Sequence, residues 1–161
     1  MKDIKGLLKS FAYAFKGLGW MISHERNFRI HLAVLSMMLY FLLRFDYFLL
    51  TGAEWAALII VSALVLAAEM INTAIEKTND ATVVGLNPAV KIAKDVAAGA
   101  VLVFAIASVL VGVAVLWQPE AFKALWAFYV RHPFELLLVV AGVIISTIFV
   151  FKFDFNKKEK Q

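Results

Sequence analysis

Apolar residues in the first part of the chain recur at helical spacing, with lysines largely on the opposite side. Leu7, Phe11 and Phe15 lie on the apolar stripe, whereas Lys9 faces away from it. This pattern predicts an amphipathic helix in the membrane interface within residues 1–29. A soluble amphipathic helix packed on a partner is the alternative, and the strongly apolar remainder of the chain favours the interface.

Four longer apolar segments follow, and we predict each as a transmembrane helix, because about 20 residues cross the hydrocarbon layer and fewer suffice when charged ends reach the interface. They are residues 30–43, 55–75, 96–117 and 134–151. The first is the shortest. Asn87 and Pro88 predict the cytoplasmic start of the third helix, since asparagine caps helices and proline suits their first position.

The predicted fold is therefore an all-α integral membrane protein with three parts. Residues 1–29 form the amphipathic interfacial helix and cytoplasmic entry, residues 30–117 a three-span core, and residues 118–161 an additional C-terminal fourth transmembrane helix with a basic cytoplasmic tail. Lysine and arginine number thirteen in the segments before the first span, between the second and third, and after the fourth, against three in the other two connections. The positive-inside rule then places both termini in the cytoplasm.

Composition agrees with membrane insertion and narrows the chemistry. Hydrophobic residues make up 63% of the 161 residues, and the mean hydropathy is +0.83, well above soluble domains. The net charge of +4 suits cytoplasmic lysines beside anionic lipid, so no nucleic-acid partner is expected. The absence of cysteine excludes disulfides, thiolate metal sites and cysteine nucleophiles. No GxxxxGK[ST] loop is present to cradle a nucleotide.

Polar residues cluster on one face of the second span, within an arc of roughly 100°. They are Glu69, Asn72, Thr73, Glu76 and Asp80. Glu69 lies roughly 21 Å along the helix from Trp55, near the inner edge of the bilayer. A charged group there costs on the order of 2–3 kcal/mol and usually has a function. A hydrogen-bonded packing cluster is the alternative, but three mutually repelling carboxylates favour a bound cation.

Oxygen ligands of this kind suit Mg²⁺, which usually takes one or two carboxylates and completes its ligands with water and phosphate. Glu25, just before the first span, is placed to add a ligand from a second helix. Glu69 is the deepest carboxylate and the best candidate for a general base. Lys94 either binds phosphate oxygens or extends to the interface, and its spacing leaves both readings open.

The histidines of the chain show no metal-ligand spacing, and each is expected to be an interface residue. They are His24, His31 and His132. Lys91 and Asp95 lie one helical turn apart and are placed to pair with each other.

Three sequence blocks resemble the prokaryotic integral-membrane diacylglycerol kinase family. They are ERNFRIH at residues 25–31, AEMINTAIE at residues 68–76 and AKDVAAGAV at residues 93–101. The blocks occur in the family's order, and the resemblance extends over about residues 10 to 117. It implies a small ATP-dependent lipid kinase of the bacterial plasma membrane, with a surface helix, a three-span kinase core, homotrimeric assembly and sites between helices at the cytoplasmic interface.

The resemblance also implies roles for the acidic face. Glu69 matches the catalytic base that takes the proton from the lipid hydroxyl. Glu25 and Glu76 match ligands of the metal and of ATP, with Mg²⁺ as the cofactor. Asn72 supports the same site.

Further matches concern the nucleotide. Lys94 and Asp95 match nucleotide-contacting positions, and Tyr13 matches a residue of the ATP pocket. Gly85 and Asn87 lie where the family's loop closes over the nucleotide, although the loop sequence here departs from the common pattern.

The lipid alcohol stays open between diacylglycerol and undecaprenol, which would feed phospholipid or cell-envelope lipid-carrier metabolism. The block at residues 25–31 is closer to the Gram-positive branch, which favours a polyprenol. The fourth span and its tail lie beyond the family's minimal core. A proton-coupled channel or transporter using Glu69, Glu76 and Asp80 as a relay is the alternative function, with a non-catalytic scaffold as another. Clustering of these carboxylates at one end of the span disfavours the relay.

Overall fold

Six α-helices make up the described part of the chain, which is residues 2–83, 85 and 87–155 of a computed structural model. The helices are α1 (Lys2–His24), α2 (Arg26–Arg44), α3 (Gly52–Thr82), α4 (Pro88–Leu116), α5 (Pro119–Arg131) and α6 (Pro133–Phe155). The described residues contain no strand, so the all-α prediction is confirmed. Residues 156–161 of the predicted basic tail lie outside the described residues.

Three of these helices are long and apolar enough to cross a membrane: α3, α4 and residues 133–151 of α6. Among the described residues, α2 does not reach the same apolar length, because arginines occupy both its ends. It is nevertheless helical over the whole of the predicted first span. The crossing of α2 and the cytoplasmic position of the termini therefore stay predictions.

The ends of the long helices follow from local capping. Thr51 begins α3, with its hydroxyl accepting from the backbone N–H of Glu54 while the Glu54 carboxylate accepts from the backbone N–H of Thr51. The Asn87 side chain accepts from the Ala89 N–H at 2.9 Å, and Pro88 takes the first position of α4, as predicted. α3 continues to Thr82, beyond the predicted end, so one helix carries the whole polar face.

The sequence predicts only a connection between spans where the structure has α5. Pro119 stands at its first position and Glu120 in its first turn, while Arg131 lies in its last turn, all favourable for a short helix. The Gln118 side chain before it exchanges two hydrogen bonds with the backbone of Leu49. This helix has only 13 residues, too few for a span, so its apolar content gave no membrane signal.

Helices α3 and α4 share the most extensive contact in the bundle, and α2 packs against both α3 and α6. Ala68 on α3 and Ala97 on α4 are both buried, and such small side chains let neighbouring helices approach closely. Leu58 and Val65 complete the inward side of α3. Most large apolar side chains of α4 and α6 are exposed in the chain by itself, as expected of surfaces that face lipid.

α2 and α6 run antiparallel, joined at both ends. Arg44 near the end of α2 lies 3.5 Å from the Glu135 carboxylate near the start of α6. At the opposite ends, the Arg29 guanidinium binds the backbone carbonyl of Val150. The additional helix therefore packs along the whole of α2.

Candidate functional site

The acidic face of α3 turns inward at Glu69 and Thr73, both of which are buried. Glu69 is 4% exposed. One turn on, the Asn72 amide donates to Oε1 of Glu76 at 2.9 Å. The structure thus brings Glu69, Asn72 and Glu76 onto one helix face, as their spacing predicts.

His31 is the neighbour of Glu69 that sequence reasoning missed. Its Nε2 lies 3.5 Å from Oε1 of Glu69, at the contact between α2 and α3. The separation is within ion-pair range and somewhat longer than an ordinary hydrogen bond. Only the fold reveals this pair, since no spacing within one helix relates two residues on different helices.

An apolar cavity of about 250 Å³ lies between α2, α3 and α4. His31 forms part of its wall, and the lining continues to Leu116 near the far end of α4. Most other lining side chains are aliphatic, with two serines among them. The imidazole therefore stands between a buried carboxylate and a space suited to hydrocarbon.

Glu25 forms a one-residue junction between α1 and α2. Its extended backbone has φ −107° and ψ 111°, and its side chain makes no capping hydrogen bond. The Glu25 N–H donates to the Met21 carbonyl at 2.9 Å, and its own carbonyl accepts from the Arg29 N–H. The Glu25 backbone is thus hydrogen-bonded to both helices. Its carboxylate makes no capping hydrogen bond, so it is placed to bind a ligand.

The residues fit Mg²⁺ in their chemistry. The Asn72 carbonyl oxygen is buried without a hydrogen-bond partner among the described residues, next to the carboxylate of Glu76, which its amide nitrogen binds. A buried polar oxygen usually has a partner, so this one calls for a donor or a cation. No group of three acidic or histidine side chains gathers into a metal cluster within the described chain. Mg²⁺ usually takes one or two protein carboxylates and completes its ligands with water and phosphate.

Lys94 forms an ion pair with Asp80, across the turn that joins α3 to α4. The Asp80 carboxylate is more than half exposed. The pair decides neither reading of Lys94, because an exposed ion pair contributes only about 0–1 kcal/mol and exchanges easily for a phosphate.

The other predicted nucleotide positions are exposed. Tyr13 lies on α1, with the Lys16 ammonium over its ring. Gly85 and Asn87 flank Leu86, which lies outside the described residues, and Asp95 points outward near the start of α4. Their roles in nucleotide binding stay predictions.

The end of α1 approaches the polar end of α3 through Trp20. Its ring stacks on His24 with centroids 4.6 Å apart, and the Lys77 ammonium lies 5.6 Å from the Trp20 ring centre. This contact places the Glu25 junction on the same side of the bundle as the acidic face.

Comparison with known proteins assigns the chain to a family. Residues 12–116 match the family described as prokaryotic diacylglycerol kinase. The chain is 41% identical over 118 residues to a diacylglycerol kinase of Synechocystis sp., covering 70% of this chain and 63% of that protein. It is 36% identical over 112 residues to an undecaprenol kinase of Bacillus subtilis, covering 68% of this chain and 87% of that protein. No solved structure matches significantly. The chain belongs to the prokaryotic diacylglycerol kinase family.

Proposed function

We propose that the protein is an ATP- and Mg²⁺-dependent lipid kinase, which transfers the γ-phosphate of ATP to the hydroxyl of a membrane lipid alcohol. The observation that carries this proposal is the buried carboxylate of Glu69, paired with His31 beside an apolar cavity. A base in that position meets a lipid hydroxyl whose chain lies among aliphatic side chains.

The reaction assigns a distinct task to each group. The hydroxyl oxygen of the lipid attacks the γ-phosphorus of ATP while the Glu69 carboxylate accepts the hydroxyl proton, and ADP leaves. The imidazole of His31, 3.5 Å away, holds the carboxylate in the orientation in which it can accept the proton of the lipid hydroxyl. Glu25, Glu76 and the Asn72 carbonyl would hold Mg²⁺, which supplies charge neutralisation of the phosphates. A small set of residues suffices, because phosphoryl transfer depends mainly on positioning and electrostatics.

Residues other than Glu69 bind the nucleotide. Lys94, released from Asp80, neutralises phosphate oxygens, and Asp95 and Tyr13 contribute further contacts. Gly85 and Asn87 belong to the turn that covers the nucleotide. The three-span core at residues 30–117 carries the reaction, flanked by residues 1–29 and 118–161.

In the cell, the protein would be a multi-pass component of the bacterial plasma membrane with both termini in the cytoplasm, assembled as a homotrimer. This orientation gives ATP access from the aqueous side and the lipid access from within the bilayer. The relatives' names, diacylglycerol kinase and undecaprenol kinase, define the two candidate substrates. The aliphatic lining beyond His31 offers no ionisable continuation for the proton relay of a channel.

The decisive experiment is a kinase assay on the purified full-length chain with γ-labelled ATP and Mg²⁺. Diacylglycerol, undecaprenol and a ceramide-like alcohol are presented separately in the same lipid vehicle. Label in at least one lipid, lost on chelation of Mg²⁺, is the expected result. ATP consumption with no labelled lipid, or no turnover with any of the three alcohols, would contradict the proposal.

A further inference from the structure

The Arg29 guanidinium is wholly buried, with 0% of the residue exposed. It donates from Nε and Nη2 to the Val150 carbonyl of α6, at 3.2 and 2.9 Å. Nη1 donates to the Ile22 carbonyl in the last turn of α1, at 3.3 Å. One side chain on α2 therefore binds the backbones of two other helices.

Both acceptors are backbone carbonyl oxygens, which suit a cationic donor. Ile22 lies in the last turn of α1, where the helix dipole concentrates partial negative charge, and arginine near a helix C-terminus commonly binds such carbonyls. Val150 lies within α6, five residues before Phe155. Burial of a guanidinium is expensive unless such acceptors surround it, so the contact holds these three helices in one arrangement.

This contact is centred on the junction that carries Glu25. The Arg29 backbone N–H donates to the Glu25 carbonyl at 3.2 Å, and its side chain binds α1 on the other side of Glu25. The only residue between α1 and α2 is Glu25. The direction of the Glu25 side chain therefore depends on how α1 and α2 are positioned relative to each other. The contact of Arg29 with α6 helps to fix that position.

We propose that α6 is a positioning element for Glu25, acting through the Arg29–Val150 contact. Helix α6 lies outside residues 12–116, the region that matches the family. Within that region, α6 packs mainly against α2. Its contribution is to nucleotide affinity and not to lipid binding, because the cavity is lined by α2, α3 and α4. The inference rests on the proposed kinase function of Glu25.

The test perturbs the contact from the α6 side in the full-length chain. Val150 is buried at the contact, so Val150→Trp displaces the end of α6 from Arg29. The expected result is an increase of about tenfold in KM for MgATP, comparable to losing a hydrogen bond to a charged group. The lipid KM stays within about twofold. Ile145→Trp, on an exposed position of the same helix, is the matched control and leaves both constants unchanged.

Arg29→Gln and the Arg29→Gln/Val150→Trp double variant complete the cycle. If both residues act through one contact, the double variant is no worse than the more affected single variant. Arg29→Lys, which keeps one charged donor, restores part of the affinity, and it replaces Arg29→Gln in the cycle if the glutamine variant does not fold. Additive increases in KM, or an unchanged KM for MgATP in Val150→Trp, overturn the inference. Absence of lipid labelling by the unmodified chain contradicts the kinase proposal instead.

Discussion

His31 on α2 and Glu69 on α3 face each other across a helix contact, with Nε2 and Oε1 3.5 Å apart. Because His31 also lines the cavity, its imidazole stands between the apolar space and the buried carboxylate. The pair therefore concentrates the proposed chemistry at one point between two helices. Two substitutions separate the roles of its members.

Glu69→Gln keeps the shape of the side chain and removes the proton acceptor. We expect lipid phosphorylation to fall by about 10³-fold, within the range for loss of a general base. The labelled-ATP assay measures the rate, and calorimetry with a non-hydrolysable MgATP analogue checks that nucleotide binding persists. Near-normal turnover in a correctly folded variant would remove the base assignment.

His31→Leu removes the ring that faces Glu69, while His31→Gln keeps a donor in a similar position. We expect kcat to fall about tenfold in the leucine variant, because the carboxylate loses a charged or hydrogen-bonding neighbour. The glutamine variant recovers most of that loss. The KM for MgATP stays constant in both. Equal kcat values for the two variants would show that His31 acts through packing alone.

Asn72→Ala removes both the amide that binds Glu76 and the buried carbonyl oxygen. We expect the Mg²⁺ concentration for half-maximal activity to rise several-fold, because the metal loses a ligand and Glu76 loses its orientation. Thr78→Ala, at an exposed position of the same helix, is the control. A Mg²⁺ titration identical to that of the unmodified protein would exclude Asn72 from the site.

Gly85→Ala tests the turn between α3 and α4. Gly85 has φ +88°, a conformation in which a side chain costs about 1 kcal/mol or more. We expect a lower thermal midpoint and a higher KM for MgATP, since the turn is proposed to cover the nucleotide. Gly17→Ala, inside α1 with open space around it, should be neutral or slightly stabilising. The opposite ranking of the two variants would contradict this prediction.

Lys94→Met and Asp80→Asn distinguish a phosphate ligand from a structural ion pair. If Lys94 exchanges Asp80 for phosphate, Lys94→Met raises the KM for MgATP, while Asp80→Asn leaves it unchanged or lowers it. If the pair is structural, the two variants lose stability and activity in parallel. Kinetics and thermal unfolding on the same preparations decide between these outcomes.

The local pattern of apolar and polar residues was sufficient to predict most of the helices and the polar face of α3. Helical spacing in a single element placed Glu69, Asn72 and Glu76 together, and Asn87 with Pro88 marked the start of α4 because capping depends on neighbouring residues. α5 escaped notice because a 13-residue helix is too short to give a membrane signal.

Contacts between helices could not be predicted from spacing. The His31–Glu69 pair, the Lys94–Asp80 ion pair and the Arg29–Val150 contact each join different elements. Their partners are chosen by how the helices pack, which no period within one helix specifies. The additional helix α6 was predicted from its apolar length, but its position along α2 was not.

The length of α3 links the depth of the reaction to the bilayer itself. Its 31 residues extend about 46 Å, against a hydrocarbon layer of about 30 Å, and a rigid helix of that length adapts to thicker or thinner membranes by tilting. Glu69 and the residues beyond it would then change height together relative to the lipid headgroups. Turnover should accordingly pass through a maximum as acyl-chain length is varied in reconstituted vesicles.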